Sequence, residues 1–205
     1  LSGRVVAVLN GAERVLENGS DVFEGEIIRT GDGASVEVRF ADNTVLSQGP
    51  SSELTVDSYV YDPNAPAGGG FLFKMAQGTY RMATGQIAED NPDGVRLESP
   101  LATIGIRGTI TISQILPNGQ EIHGAENLTG GRSILISDQF GNQQLITFPT
   151  GGVPLAPGQP MGQVFTLPQS FFEAIRSNAP LTSQGEPPSQ GTPGDDDGQE
   201  GGQQD

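Results

Sequence analysis

Apolar residues in this chain recur at every second position in short runs, and turn residues separate the runs. Val36, Val38 and Phe40 alternate with Glu37 and Arg39, which is the period of a half-buried strand. Upstream, RVVAVLN and GAERVL flank Asn10-Gly11, a strong hairpin signal. Asn18-Gly19 repeats the device, and Gly31-Asp32-Gly33 turns the chain after Ile27 and Ile28. Asp42-Asn43 leads into TVLSQG, and Pro50-Ser51-Ser52 leads into ELTVDSYVYD, where Leu54, Val56 and Val60 are expected on one side. Strand and turn alternate without a helical period.

A Pro- and Gly-rich loop spans Asp62 to Gly70, a composition that forbids a regular element. The pattern predicts more strands in FLFKMAQG and TYRMATGQIAED, marked by Gly78 and Gly85, and in VRLESP after the turn NPDG. TITISQIL continues to the turn Pro117-Asn118-Gly119, and RSILISDQFGNQQLITF reads as a hairpin around Gly141-Asn142. From Pro149 the prolines argue for a surface connector with no central strand. QSFFEAIRSN, preceded by Pro168 and closed by Pro180, has the spacing of a short helix docked by Phe171, Phe172 and Ile175. Beyond Ala179 the chain holds no large apolar residue except Leu181, so a disordered acidic tail is expected. These features divide the chain into a β domain over 1–115, further hairpins over 116–148, a connector and helix over 149–178, and the tail over 179–205. Turns every 8 to 12 residues indicate a sandwich, a barrel or a solenoid.

SPLATIGIRGT, from Ser99 to Thr109, is the stretch around which the rest is organised. Leu101, Ile104 and Ile106 make it a strand, and Gly105 and Gly108 put breaks in it. Arg107 stands between them, and its guanidinium calls for a carboxylate. With both neighbours expected buried, Arg107 reads as a structural clamp paired with Glu98 or Asp57, whose removal unfolds the domain.

Composition narrows the partners. The chain has 205 residues, 34% hydrophobic, with 30 Gly, 15 Pro, no Trp and no Cys. Its net charge is −15, which repels nucleic-acid phosphate and anionic lipid. Without cysteine there is no disulfide, thiolate nucleophile or Cys-based zinc site. Nowhere does it offer the roughly 18 continuous apolar residues of a membrane helix, so no membrane insertion of this segment is expected. Opening at Leu1 with no charged-then-apolar leader, it is expected to be a processed form or a piece of something longer.

GEIIRTGDGASVEVRFADNTVLSQGPSSELTVDSYVYDP, FKMAQGTYRMATGQIA and SPLATIGIRGT together resemble the FecR domain, an all-β extracytoplasmic bacterial module, over about residues 3 to 115. The family's landmarks fall on Thr30 and Gly31, on Asn43 where a Gly is usual, on Gly78, and on Ile106, Arg107, Gly108 and Thr109. Asn tolerates the left-handed conformation that such a turn needs. The resemblance implies an all-β, rolled, twisted, solenoid-like domain of short antiparallel strands and hairpins. It also implies an extracytoplasmic location (periplasm, cell surface or secreted) in a Gram-negative bacterium. The family's namesake is a membrane-anchored regulator that relays a signal from an iron-siderophore transporter to a sigma factor. This chain lacks that membrane helix and is more similar to the free-standing domains of large exported or surface proteins.

Little in the chain points to chemistry. His123, the one histidine, lies in QEIHGAE with no motif around it and reads as a loop residue. No G-x-S-x-G elbow is present, GGRSI lacks its second glycine, and Lys74 has the wrong neighbours for a phosphate loop. Glu24 with Glu26, or Asp90 with Asp93, has the form of a carboxylate pair but reads as exposed strand positions. Asp32 and Asp195 to Asp197 lack a calcium-loop repeat. Tyr59, Tyr61, Tyr80, Phe71 and Phe73 suit a core better than a sugar groove. No catalytic, cofactor or metal residue is therefore assigned. The favoured function is a non-catalytic interaction, anchoring or signal-relay module. It acts on a protein partner in the cell envelope or on the remainder of a larger surface protein. The alternatives are a periplasmic sensor domain of an iron-uptake-type anti-sigma regulator and, from a third class, a polysaccharide-active enzyme.

Overall fold

Asn10 and Gly11 both take positive φ, 51° and 81°, as a two-residue hairpin turn requires, and they join β1 (Val5–Leu9) to β2 (Ala12–Val15). β3 (Ile27–Thr30) pairs with the other edge of β1. β4 (Val36–Arg39) and β5 (Val45–Gln48) form the next hairpin. Its turn has Asn43 at φ 66° and is held by Asp42, whose carboxylate accepts from the Thr44 amide at 3.1 Å and the Thr44 hydroxyl at 2.7 Å. In this computed structural model residues 1–128 and 131–182 are described. The expected acidic tail lies outside them from Ser183 onward. The chain up to Thr182 is packed, with Ala179 buried and the Thr182 amide donating to Glu37 at 2.6 Å.

β6 (Glu53–Val60) leads to β7 (Gly70–Ala83), a strand of 14 residues. The first part of β7 pairs with β6 and, in parallel, with β8 (Val95–Glu98); its second part pairs with β5 and with β10 (Ile110–Ile115). The switch falls at Gly78, whose φ is 129°. A Cβ there would stand 2.0 Å from the Ser52 hydroxyl oxygen, so only glycine fits. β7 therefore belongs to two sheets. The first runs β2, β1, β3, β6, β7, β8, β9 (Ala102–Arg107), β12 (Ser133–Asp138) and β13 (Gln143–Ile146). The second runs β4, β5, β7, β10, β11 (Glu121–Asn127), β14 (Gly151–Leu155) and β15 (Phe165–Thr166). One continuous core, including Val5, Ile28, Leu46, Phe73, Met82, Ile104 and Ile134, is drawn from both. The chain is all-β, a sheet rolled over on itself and not closed.

Four local expectations are corrected. GQIAED is not a strand continuation: α1 (Gln86–Asp90) and a 3-10 turn, Pro92–Gly94, fill it. They form the crossover that a parallel β7–β8 pair needs, since a tight turn cannot make one. Val60 faces solvent at 56% exposure, because a bulge between Val56 and Ser58 inserts one residue and turns Tyr59 toward the core instead. β14 runs through the region where prolines argued against a central strand. Its Pro154 lies opposite Ile122, and the Pro154 carbonyl accepts from Gly162 at 2.9 Å. The missing donor of Pro154 faces that same side, beyond the last residue paired with β15, so no ladder bond is lost. His123 is in β11, not in a loop.

α2 (Gln169–Asn178) covers the outer face of the second sheet. Phe172 and Ile175 are buried against Ile112 and Leu167, worth roughly 1.5–3 kcal/mol for each large side chain. Gly49 admits the helix end, since a Cβ there would meet the Asn178 carbonyl at 2.8 Å. Glu126 of β11 bridges Arg81 of β7 at 2.7 Å and Arg176 of the helix at 2.5 Å.

Candidate functional site

The stretch from Ser99 to Thr109 makes a corner, the strand β9 and a closing turn. At the corner the Ser99 hydroxyl donates to Glu121 at 2.5 Å, and the other Glu121 oxygen accepts from the Leu101 amide at 3.2 Å. Glu121 and His123, two apart in β11, share a face. The ring of His123 lies 2.9 Å from Glu121 through Nε2 and 2.9 Å from the Ser113 hydroxyl through Nδ1. Serine, histidine and carboxylate thus stand in the order of a hydrolytic triad. All three are buried at 1–2% exposure on the inner face of the second sheet. A nucleophile must reach a substrate atom, and this hydroxyl reaches only protein. The group acts as a staple between the sheets, with its donors and acceptors mutually satisfied.

At the other end Gly108 takes φ 64° and turns β9 into β10. Thr109 fixes the turn: its hydroxyl donates to the Asn127 carbonyl and its amide to the Thr84 hydroxyl at 3.0 Å. Arg107 departs from expectation. It pairs with neither Glu98 nor Asp57 but with Asp93 at 2.9 Å, and the two side chains are 62% and 79% exposed. Strand alternation explains this, because Ala102, Ile104 and Ile106 take the buried face and Arg107 must take the other. Asp57 is held by Lys74 at 2.7 Å.

The remaining landmark residues gather at two places. Thr30, Gly31 and Gly78 surround Ser51 and Ser52: the Ser52 amide donates to the Thr30 hydroxyl at 3.0 Å, and the Ser51 amide donates to the Gly31 carbonyl at 3.1 Å. Asn43 and Thr109 flank Thr84 and Gly85, since the Gly85 amide donates to the Thr44 hydroxyl at 2.9 Å. Both are backbone junctions.

The other candidates resolve into structure. Glu26 is buried and takes a two-pronged contact from Arg14 at 2.9 and 2.8 Å. Burial alone pushes its carboxyl up, but Arg14 and the Phe23 amide more than offset this and hold it below the ordinary value. Glu24 accepts from the Tyr59 amide at 3.1 Å. Asp90 accepts from Gln86, while Asp93 takes Arg107, so each of these carboxylates has a partner within the protein. Phe71 and Phe73 stack with centroids 4.4 Å apart in the core, and Phe40 lies 4.8 Å from Phe73. Asp195 to Asp197 lie outside the described residues.

What remains open is a groove of about 640 Å³ on the outer face of β8, β9, β12 and β13, bordered by the 3-10 turn at Pro92 and Asp93. Strand register aligns Arg96, Gly105, Leu135 and Leu145 in one row across it. Leu135 and Leu145 are 38% and 52% exposed. The run Ile134-Leu135-Ile136 carried the signal for this surface, because three consecutive apolar residues in a strand cannot share one face. A second groove of about 640 Å³ lies between residues 17–24 and β4, and Glu17, Asp21, Glu24, Glu37 and Arg39 all line it.

Residues 26–123 match the model of a protein family described as FecR protein. A candidate anti-sigma factor from Parabacteroides distasonis, solved at 2.50 Å, is similar in fold, with TM-score 0.50 and 12% identity over 68% of this chain and 57% of that protein. A second structure described in the same words, at 1.65 Å, gives TM-score 0.49 at 12% identity over the same shares. The chain thus spans little more than half the length of the proteins it resembles. A search of curated proteins finds no match.

Proposed function

We propose that this chain, whose residues 26–123 match the FecR protein family model, is a non-catalytic protein-interaction module that relays a signal on the extracytoplasmic side of a Gram-negative envelope. The observation that carries this reading is the contrast between its two polar assemblies. Ser113, His123 and Glu121, the constellation with the form of a catalyst, are buried and spent on each other. The groove on the outer face is open and presents hydroxyls, leucines and guanidinium groups, which suit recognition better than bond cleavage. The fold likeness to a protein described as a candidate anti-sigma factor favours relay over passive anchoring. The net charge of −15 directs the module to proteins and away from nucleic acid.

The test is deletion of the gene in its native host followed by transcript profiling. A discrete set of transcripts changes, and both the wild-type chain and Ser113→Ala restore it. Unchanged transcripts, or a folded Ser113→Ala chain that fails to restore them, overturn the reading.

A further inference from the structure

Gly105 sits in the middle of β9, and nothing among the described residues requires it to be glycine. Its φ lies outside the left-handed region, and a Cβ would meet nothing closer than the Leu135 carbonyl at 3.9 Å. The other glycines within strands differ. Gly70, Gly78, Gly124, Gly151 and Gly152 all have a neighbour within 3.0 Å of where a Cβ would stand. A glycine in a strand costs roughly 0.5–1 kcal/mol relative to alanine, and its usual justification is close approach of another backbone or a ligand. Here the missing side chain leaves a dip in the exposed row between Arg96 and Leu135.

The charges around the dip point the same way. Eight of the chain's ten Lys and Arg residues make ion pairs. Arg39 and Arg96 have no such partner among the described residues. Arg39 lines a groove that four acids also line. Arg96 shares its groove with Arg107 and with a single acid, Asp93, on a protein of net charge −15. An unpaired guanidinium beside exposed leucines fits a carboxylate and aliphatic side chains on one incoming segment.

We infer that the groove over Gly105 receives an extended acidic and aliphatic segment of a protein partner. The partner's main chain lies over Gly105, a carboxylate meets Arg96, and aliphatic side chains cover Leu135 and Leu145. This rests on the protein-interaction reading above and adds the place and the chemistry. The chain's own residues 183–205 are acidic and, apart from three prolines, offer no apolar side chain, with no Ala, Val, Ile, Leu or Met. They do not supply what the leucines need, which favours a segment supplied in trans.

The probe is a fluorescein-labelled decapeptide alternating Glu and Val, read by polarisation against the full chain, with a Lys and Val peptide as its counterpart. The Glu peptide binds, the Lys peptide does not, and Arg96→Glu and Gly105→Val each weaken binding by about tenfold or more while melting no lower than the wild type. Equal binding of both peptides, no binding to the wild type, or unchanged affinity in two folded variants overturns the proposal. Binding that appears only after removal of residues 183–205 overturns it in favour of the tail as occupant. If the peptide fails while the wild-type chain still restores transcripts, the groove assignment falls and the relay function stands.

Discussion

The Ser99 hydroxyl lies 2.5 Å from a Glu121 carboxylate oxygen, and through this contact the corner before β9 is fastened to His123 and Ser113 on the other sheet. Glu121→Ala leaves the His123 ring and the Leu101 amide without their acceptor in the core. An expected loss of about 2–6 kcal/mol follows from two stranded groups at about 1–3 each. Ser99→Ala costs about 1 kcal/mol. Urea titration reads both as lower midpoints at an unchanged slope.

The ion pairs of Arg107 and Arg81 differ sharply in what breaking them costs, because one is exposed and the other buried. The Arg107–Asp93 pair is exposed on both sides, so Arg107→Ala shifts stability by about 0–1 kcal/mol and leaves the domain folded. Glu126→Ala strands Arg81, whose side chain is 6% exposed, at a cost of about 3–5 kcal/mol. It also frees Arg176, so α2 is the first element to lose protection in hydrogen exchange.

Acid acts through Glu26. Its carboxyl is held below the ordinary value of 4.5, so the folded state binds this proton less readily than the unfolded state. The stabilisation is fully present above about pH 4.5 and is lost as pH falls through the folded-state value. Asp138, held low by Asn142 and by the Met161 and Phe140 amides against the upward push of burial, adds to the same slope. Thermal melts between about pH 7 and 3 show a fall at the acid end, and Glu26→Gln flattens it. An unchanged slope in Glu26→Gln contradicts the assignment.

Two glycine substitutions separate architecture from recognition. Gly78→Ala meets the Ser52 hydroxyl and a φ of 129°, with strain alone costing about 1–3 kcal/mol. Gly105→Ala meets only the Leu135 carbonyl, at an ordinary contact distance of 3.9 Å, and raises stability by about 0.5–1 kcal/mol. Chemical denaturation of the pair gives opposite signs.

Features set by neighbours in sequence were legible beforehand. Asn10-Gly11, Asn43 and the Phe172 helix follow from turn chemistry and apolar spacing, and the stretch ending in Gly108-Thr109 stood out by composition. Features set by distant partners were not. Val60 faces outward because of a bulge, which alternation cannot anticipate. Pro154 enters a sheet because its barren side meets no paired strand. The partner of Arg107 comes from the crossover between β7 and β8, whose parallel pairing no local pattern encodes. His123 has no motif around it to mark a strand, and only its i, i+2 spacing from Glu121 hints at a shared strand face. The row Arg96, Gly105, Leu135 and Leu145 exists only once four strands are in register.

Because one strand, β7, serves both sheets, there is no seam along which the molecule can come apart. Loosening at Gly78 withdraws pairing from β5, β6, β8 and β10 together. A pull or a push felt by the outer strands of one sheet thus has an unbroken covalent route to the other, and the two halves yield or hold as a single mechanical body.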